Sequence, residues 1–276
     1  MSDRPATDSS TYNAASGADY ELLMGRWSKR LAGPFLAFAG CGDGERVLDV
    51  GCGTGSLTFT LAATADVRSI CGVDYAAAYV DYARQRNRDS RIELRVGDAC
   101  ALPFPDGSFD RVLAMLMLHF VAQPERAVAE MRRVARPGAT VAAAVWDARG
   151  GFVANRMFLD TAAMLDPAGG AALRARSNTR PMTRPGELAA AWRAAGMTAV
   201  QDTALTIRME FASFDDYWAP YTTRDGPGAQ YLATLDQTMR DRLREAVRRA
   251  YVDGDPDGPR SYAATAWAVK GIVPGG

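Results

Sequence analysis

Between residues 46 and 58 the chain reads Arg-Val-Leu-Asp-Val-Gly-Cys-Gly-Thr-Gly-Ser-Leu-Thr, and no other stretch constrains the fold as much. The apolar run Val47–Val50 has the length of a buried strand. Gly51, Gly53 and Gly55 follow at alternate positions, and from Leu57 the spacing suits a helix. A strand that turns through glycines into a helix brings bare backbone against a ligand, because glycine has no Cβ and tolerates positive φ. The first N–H groups of the helix then face that ligand. Such a junction forms a nucleotide-type crevice at the carboxyl end of the first strand of an open α/β sheet. The dinucleotide fingerprint needs a third glycine where this chain has Ser56, which counts against a nicotinamide oxidoreductase.

Downstream, apolar runs alternate with helix-patterned segments. Strands are expected over 67–73, 92–96, 111–115, 140–146, 198–209 and 261–269, and helices over 57–64 and 76–86. Pro124 and Pro185-Gly186 open two further helices, because proline suits the first helical turn. Asp74 ends the second strand, one strand–helix–strand step beyond the glycines, where a carboxylate can accept both hydroxyl protons of a ribose. The alternation is interrupted at about 148–185 and 211–259, which we assign to lid or substrate insertions in a single domain spanning 18–276. Residues 1–17 are polar, lack an apolar leader-type segment, and are expected to form a disordered arm. From Asp19 an amphipathic helix follows, with a break expected near Gly33-Pro34.

The Gly97–Asp110 stretch reads Gly-Asp-Ala-Cys-Ala-Leu-Pro-Phe-Pro-Asp-Gly-Ser-Phe-Asp. It resembles the G-D-A-x-x-L-P-F-x-D-x-S-F-D signature of the methyltransferase group that includes the ubiquinone and menaquinone methyltransferases. Asp49 before Gly-x-Gly-x-Gly is likewise similar to motif I of the class I S-adenosylmethionine-dependent methyltransferases. The resemblance implies a Rossmann-like seven-stranded mixed sheet of order 3-2-1-4-5-7-6 with helices on both faces. It also implies S-adenosyl-L-methionine as cofactor, S-adenosyl-L-homocysteine as product, and in-line displacement at the sulfonium methyl. Cofactor contacts are then expected from Arg26, Asp49, Gly51, Cys52, Gly53, Gly55, Asp74, Tyr75, Asp98, Ala99 and Met115. In particular, Arg26 would meet the methionine carboxylate, Tyr20 or Trp27 would roof the sulfonium, and Asp98 and Ala99 would read the adenine. The Asn-Pro-Pro-Tyr motif that many methyltransferases of nucleic-acid or protein amide nitrogens carry after the fourth strand is missing here. A small-molecule acceptor, with an O, N or C nucleophile, is the reading that remains.

The rest of the chain narrows the alternatives. Lys plus Arg equal Asp plus Glu at 32 each, so the net charge is zero and no global field favours nucleic acid or an anionic membrane. Arg240, Arg242, Arg244, Arg248 and Arg249 alternate with Asp241 and Glu245, as on a solvated helix face. A single histidine excludes a multi-histidine metal site. Asp253–Gly258 lacks the glutamate that closes a calcium loop, having Ala264 in its place. No metal is expected. Four cysteines without C-x-x-C spacing suit a reduced cytoplasmic setting, with Cys52 and Cys71 as packing residues. His119 and Asp147 are the candidate general bases, although His119 equally suits a structural role. The aromatic residues Trp146, Tyr217, Trp218 and Tyr221 are candidates for the acceptor pocket. The basic stretch 174–184 is a candidate surface for an acidic acceptor. A monomer or homodimer is expected, and a cofactor-binding protein without methyl transfer is the alternative reading.

Overall fold

A computed structural model describes residues 10–12, 14 and 16–275. Its seven strands are β1 (Arg46–Val50), β2 (Ser69–Asp74), β3 (Ile92–Val96), β4 (Phe109–Met115), β5 (Ala135–Trp146), β6 (Thr198–Phe211) and β7 (Arg260–Ile272). They form one sheet in the order β3-β2-β1-β4-β5-β7-β6, as expected. All neighbours are parallel except β7, which runs antiparallel between β5 and β6. The near-continuous apolar character of β1, β2, β4 and β5 follows from burial on both faces. β1 pairs with β2 on one side and β4 on the other, so the chain reverses its direction of travel across the sheet at that point. A crevice therefore opens above the carboxyl ends of β1, β2 and β4.

Before the sheet come α1 (Gly17–Tyr20), one π-helical turn (Glu21–Gly25) and α2 (Arg26–Ala39). The break expected at Gly33-Pro34 does not occur: α2 runs through Pro34, whose ring is exposed. The hydrogen bond that proline removes is thus lost on the face where water replaces it. The helices α3 (Ser56–Thr64), α4 (Ala77–Arg86) and α5 (Pro124–Val134) cover the parallel strands.

The first insertion folds into α6 (Val153–Leu165) and α7 (Gly169–Asn178), and α8 (Glu187–Ala194) resumes the alternation. The second holds α9 (Phe214–Trp218), α10 (Pro227–Thr234) and α11 (Gln237–Val252). α6 packs against α7, α11 and β7, so the two insertions make one cap above the crevice. At the start of α11 the Asp236 carboxylate accepts from the Met239 N–H at 2.8 Å. Asp236→Ala removes that cap, and we expect thermal unfolding to show a loss of about 1 kcal/mol.

The polar arm departs from expectation where it is described. Ser10 bridges to Val121, and the Thr11 N–H donates to the Phe120 carbonyl at 2.8 Å. The Tyr12 ring meets Phe120 edge-on at 4.7 Å, and the Tyr75 hydroxyl donates to the Tyr12 carbonyl. The Ser16 N–H donates to the Asp225 carboxylate at 3.2 Å. One aromatic anchor and paired backbone thus fasten this segment over the crevice. Residues 1–9, 13 and 15 of the expected arm lie outside the described residues.

Candidate active site

The glycine loop is built by its backbone. Gly51, Gly53 and Gly55 all have positive φ, at 73°, 53° and 93°. A Cβ on Gly51 would stand 2.4 Å from Met117, and one on Gly55 would stand 2.4 Å from the Phe59 ring. On Gly53 a Cβ would meet nothing within 4 Å, so its bare backbone faces open space. The Asp74 carboxylate braces this loop by accepting from the Gly53 N–H at 2.9 Å and the Ala76 N–H at 2.8 Å. Burial raises its pKa to about 6 against those two donors.

Asp49 is buried in β1, two residues before the loop. One oxygen accepts from the Thr58 hydroxyl at 2.6 Å, while Oδ1 has no partner among the described residues. Burial raises its pKa to about 7, against the Thr58 bond. It opens onto a small recess shared with Tyr20, Ser28, Cys52 and Met115. Cys52 is buried, and burial holds its thiol well above the ordinary range, so it is a packing residue and not a thiolate nucleophile.

A cavity of about 810 Å³ continues from the loop to the cap. Gly51, Gly53, Asp74, Tyr75, Asp98, Ala99 and Met115 border it, as do Trp146, Tyr217 and Tyr221. Asp98 accepts from the Cys100 N–H at 2.8 Å through one oxygen. At the end of β4, Leu116 has φ of 64° and also borders the cavity. Strain of this kind is tolerated where surrounding structure imposes it, and such residues cluster at functional sites. Tyr217 donates its hydroxyl to the Ala154 carbonyl at 2.9 Å, and Tyr221 stacks on Phe158 at 4.0 Å. Trp146 lies 5.1 Å from Phe152, which closes the same wall.

Four expected residues border neither the cavity nor the recess, among them Gly55, which packs against the Phe59 ring. Arg26 does not border the cavity; it pairs with Asp216 at 3.0 Å and lies over the Trp27 ring at 4.3 Å. It ties α2 to the cap, while Tyr20 and Trp27 do face the cavity. The Asp147 carboxylate does not border the cavity; it folds back on its own turn, accepting from the N–H groups of Arg149, Gly150 and Gly151 at 2.9–3.1 Å. It is therefore not placed to act as a base. Trp218 packs behind the wall against Phe214 and Tyr221.

His119 is buried and borders the cavity, its ring 4.1 Å from that of Phe120. Its Nδ1 has no partner among the described residues. Burial, reinforced by the nearby Arg180 cation, holds its pKa well below 6.5. The ring is neutral at physiological pH and only weakly basic. Sequence reasoning missed Tyr12, Tyr79 and Asp225, which close one side of the cavity: Tyr79 donates to Asp225 at 2.7 Å. Their pairing spans more than a hundred residues, and no local pattern announces it.

An adenosyl cofactor fits these donors and acceptors. Asp49 Oδ1 awaits a donor, each Asp74 oxygen keeps a lone pair beyond its backbone bond, and the Gly53 backbone is bare. Sheet order, glycine loop and strand-end acids resemble those of the class I S-adenosylmethionine-dependent methyltransferases. A family model described as "Methyltransferase domain" matches residues 48–143. The 27-O-demethylrifamycin SV methyltransferase of Amycolatopsis mediterranei is 35% identical over 129 residues, which are 45% of this chain and 46% of that protein. The demethylmenaquinone methyltransferase of Symbiobacterium thermophilum is 37% identical over 122 residues, 42% of this chain and 48% of that protein. The match thus spans about half the length of either relative. Among solved structures, the YcgJ protein of Bacillus subtilis superposes with a TM-score of 0.57 at 21% identity, covering 90% of this chain and 99% of that one. Over residues 48–143 the chain is thus similar to methyltransferase domains, and its sheet has the fold of the class I S-adenosylmethionine-dependent methyltransferases.

Proposed function

We propose that this chain transfers the methyl group of S-adenosylmethionine to a small-molecule acceptor in the cytoplasm. The observation that carries this reading is the continuity of one cavity, about 810 Å³, from Gly53 and Asp74 to the aromatic wall of the cap. A protein that only held the cofactor would have no use for the apolar chamber beyond it. Two similar proteins are named for small organic molecules, a 27-O-demethylrifamycin SV methyltransferase and a demethylmenaquinone methyltransferase. The four free cysteines agree with a reduced compartment. Among the described residues no helix is long and apolar enough to cross a membrane.

When bound, the cofactor supplies an electrophilic methyl group. Asp74 would hold its ribose, Asp49 its amino group, and Asp98 with Ala99 its adenine. The cap and residues 10–12 and 16–20 exclude water and fix the direction of approach, which is where most of the rate gain of such a transfer arises. A proton acceptor is needed only if the nucleophile must lose a proton, and the weakly basic His119 is not required for the others. Calorimetric titration of the wild type is expected to show micromolar binding of S-adenosylmethionine and S-adenosylhomocysteine. Absence of binding to both would overturn the proposal.

A further inference from the structure

The basic stretch 174–184 divides into two kinds of arginine. Arg174 reaches Asp160 at 3.4 Å and Arg184 reaches Glu187 at 3.7 Å, so both are matched on the surface. Arg176 and Arg180 have no carboxylate within ion-pair distance among the described residues, and these are the two that border the cavity. Arg180 is half-buried, with its guanidinium 4.3 Å over the Phe120 ring. Burial lowers its pKa to about 10, as befits a cation withdrawn from water without a counter-charge.

The acids on the same cavity are committed elsewhere. Asp74 braces the glycine loop, Asp98 accepts from Cys100, and Asp225 accepts from Tyr79 and Ser16. Much of the remaining wall near the cap is apolar, with Leu159, Leu173, Phe152 and Tyr221 among its residues. An unmatched cation beside such a wall is costly to desolvate, and a ligand that brings the opposite charge removes the cost. A bidentate guanidinium suits a carboxylate or a phosphate.

We infer that the acceptor is an amphipathic anion, its carboxylate or phosphate held by Arg180 with Arg176 and its apolar body laid along the aromatic wall. The inference rests on the cavity being an acceptor site. The cofactor's own carboxylate shares this chemistry. However, Arg180 borders His119 and Phe120 beyond β4, whereas the recess of Asp49 and the glycine loop is lined by other residues. The anion is therefore assigned to the acceptor.

The test is calorimetry on protein saturated with S-adenosylhomocysteine, titrated with decanoate, decyl phosphate and decanol. Wild type is expected to bind the two anions at least about tenfold more tightly than decanol, as a charge-assisted pair implies. Arg180→Met abolishes the difference, Arg176→Met narrows it, and Arg174→Met leaves it unchanged. S-adenosylhomocysteine affinity stays the same in all three. Equal binding of decanol and decanoate, no binding of any probe, or an unchanged preference in Arg180→Met would overturn the inference. So would a selective loss in Arg180→Met of S-adenosylhomocysteine affinity with 5′-methylthioadenosine affinity retained, since the cofactor carboxylate would then be the anion. Failure of wild type to bind S-adenosylhomocysteine would instead remove the methyltransferase proposal, and the anion preference would still be read on the ligand-free protein.

Discussion

Asp74→Ala is expected to weaken S-adenosylhomocysteine binding at least about 100-fold, the equivalent of two charge-assisted hydrogen bonds to ribose hydroxyls. The substitution also frees the Gly53 N–H that the carboxylate holds at 2.9 Å, so the loop loses its brace along with the ribose its acceptor. The same residue sets a pH dependence. With a folded pKa of about 6, Asp74 is ionised at pH 7 and mostly protonated at pH 5. Cofactor affinity therefore falls about tenfold over that interval. Asp49, raised to about 7, adds a second step in the same sense. Stability of the ligand-free protein runs the other way. Both carboxyls bind protons more tightly folded than unfolded, so their contribution is present at low pH and is lost as pH rises from about 4 to 7. Titrations at pH 5, 6 and 7 check this: in Asp74→Asn only the step due to Asp49 should remain. An affinity that is flat with pH in the wild type would exclude an ionised Asp74 as ribose acceptor.

The residues that border the cavity were legible in the sequence wherever their placement is local. Gly51 and Gly53 sit within one turn and Asp74 at one strand end, so apolar runs and glycine spacing place them, while Asp98, just after another strand, came from the resemblance of the Gly97–Asp110 stretch. The sheet order followed from the resemblance carried by those same stretches. Residues whose role depends on tertiary partners were not legible. Arg26 resembles a cofactor ligand until Asp216, 190 residues away, is brought beside it. Arg176 and Arg180 cannot be told from Arg174 and Arg184 by composition, because what separates them is which of them has a carboxylate within reach in the folded chain. Tyr12 lies in a stretch whose polarity predicts disorder, and one ring on Phe120 with backbone pairing to Phe120 and Val121 is what orders it. Asp147 is a different case, since its capture by the following turn was open to local reasoning. Asp-x-x-Gly-Gly favours a side chain that folds back onto the next N–H groups.

The glycine loop offers a second decisive comparison, between positions two residues apart. At Gly51 an added methyl meets Met117 Cγ and Cβ at 2.4 and 2.5 Å, and the Cβ end of that side chain cannot swing away. Gly51→Ala should therefore destabilise the fold and lose cofactor binding together. At Gly53 the φ of 53° costs an alanine about 1 kcal/mol, but the methyl enters open space. Gly53→Ala is then expected to lower the unfolding temperature only slightly while reducing S-adenosylhomocysteine affinity by more than about tenfold, because the methyl occupies volume that a closely approaching ligand needs. Thermal unfolding with and without ligand reads both quantities in one experiment: the ligand-induced rise in unfolding temperature should vanish or shrink sharply in Gly53→Ala. A normal ligand shift in that variant would mean that the cofactor does not lie against the Gly53 backbone. The open space there would then belong to the acceptor side of the cavity, and Asp74 would have to be read as a brace for the loop alone.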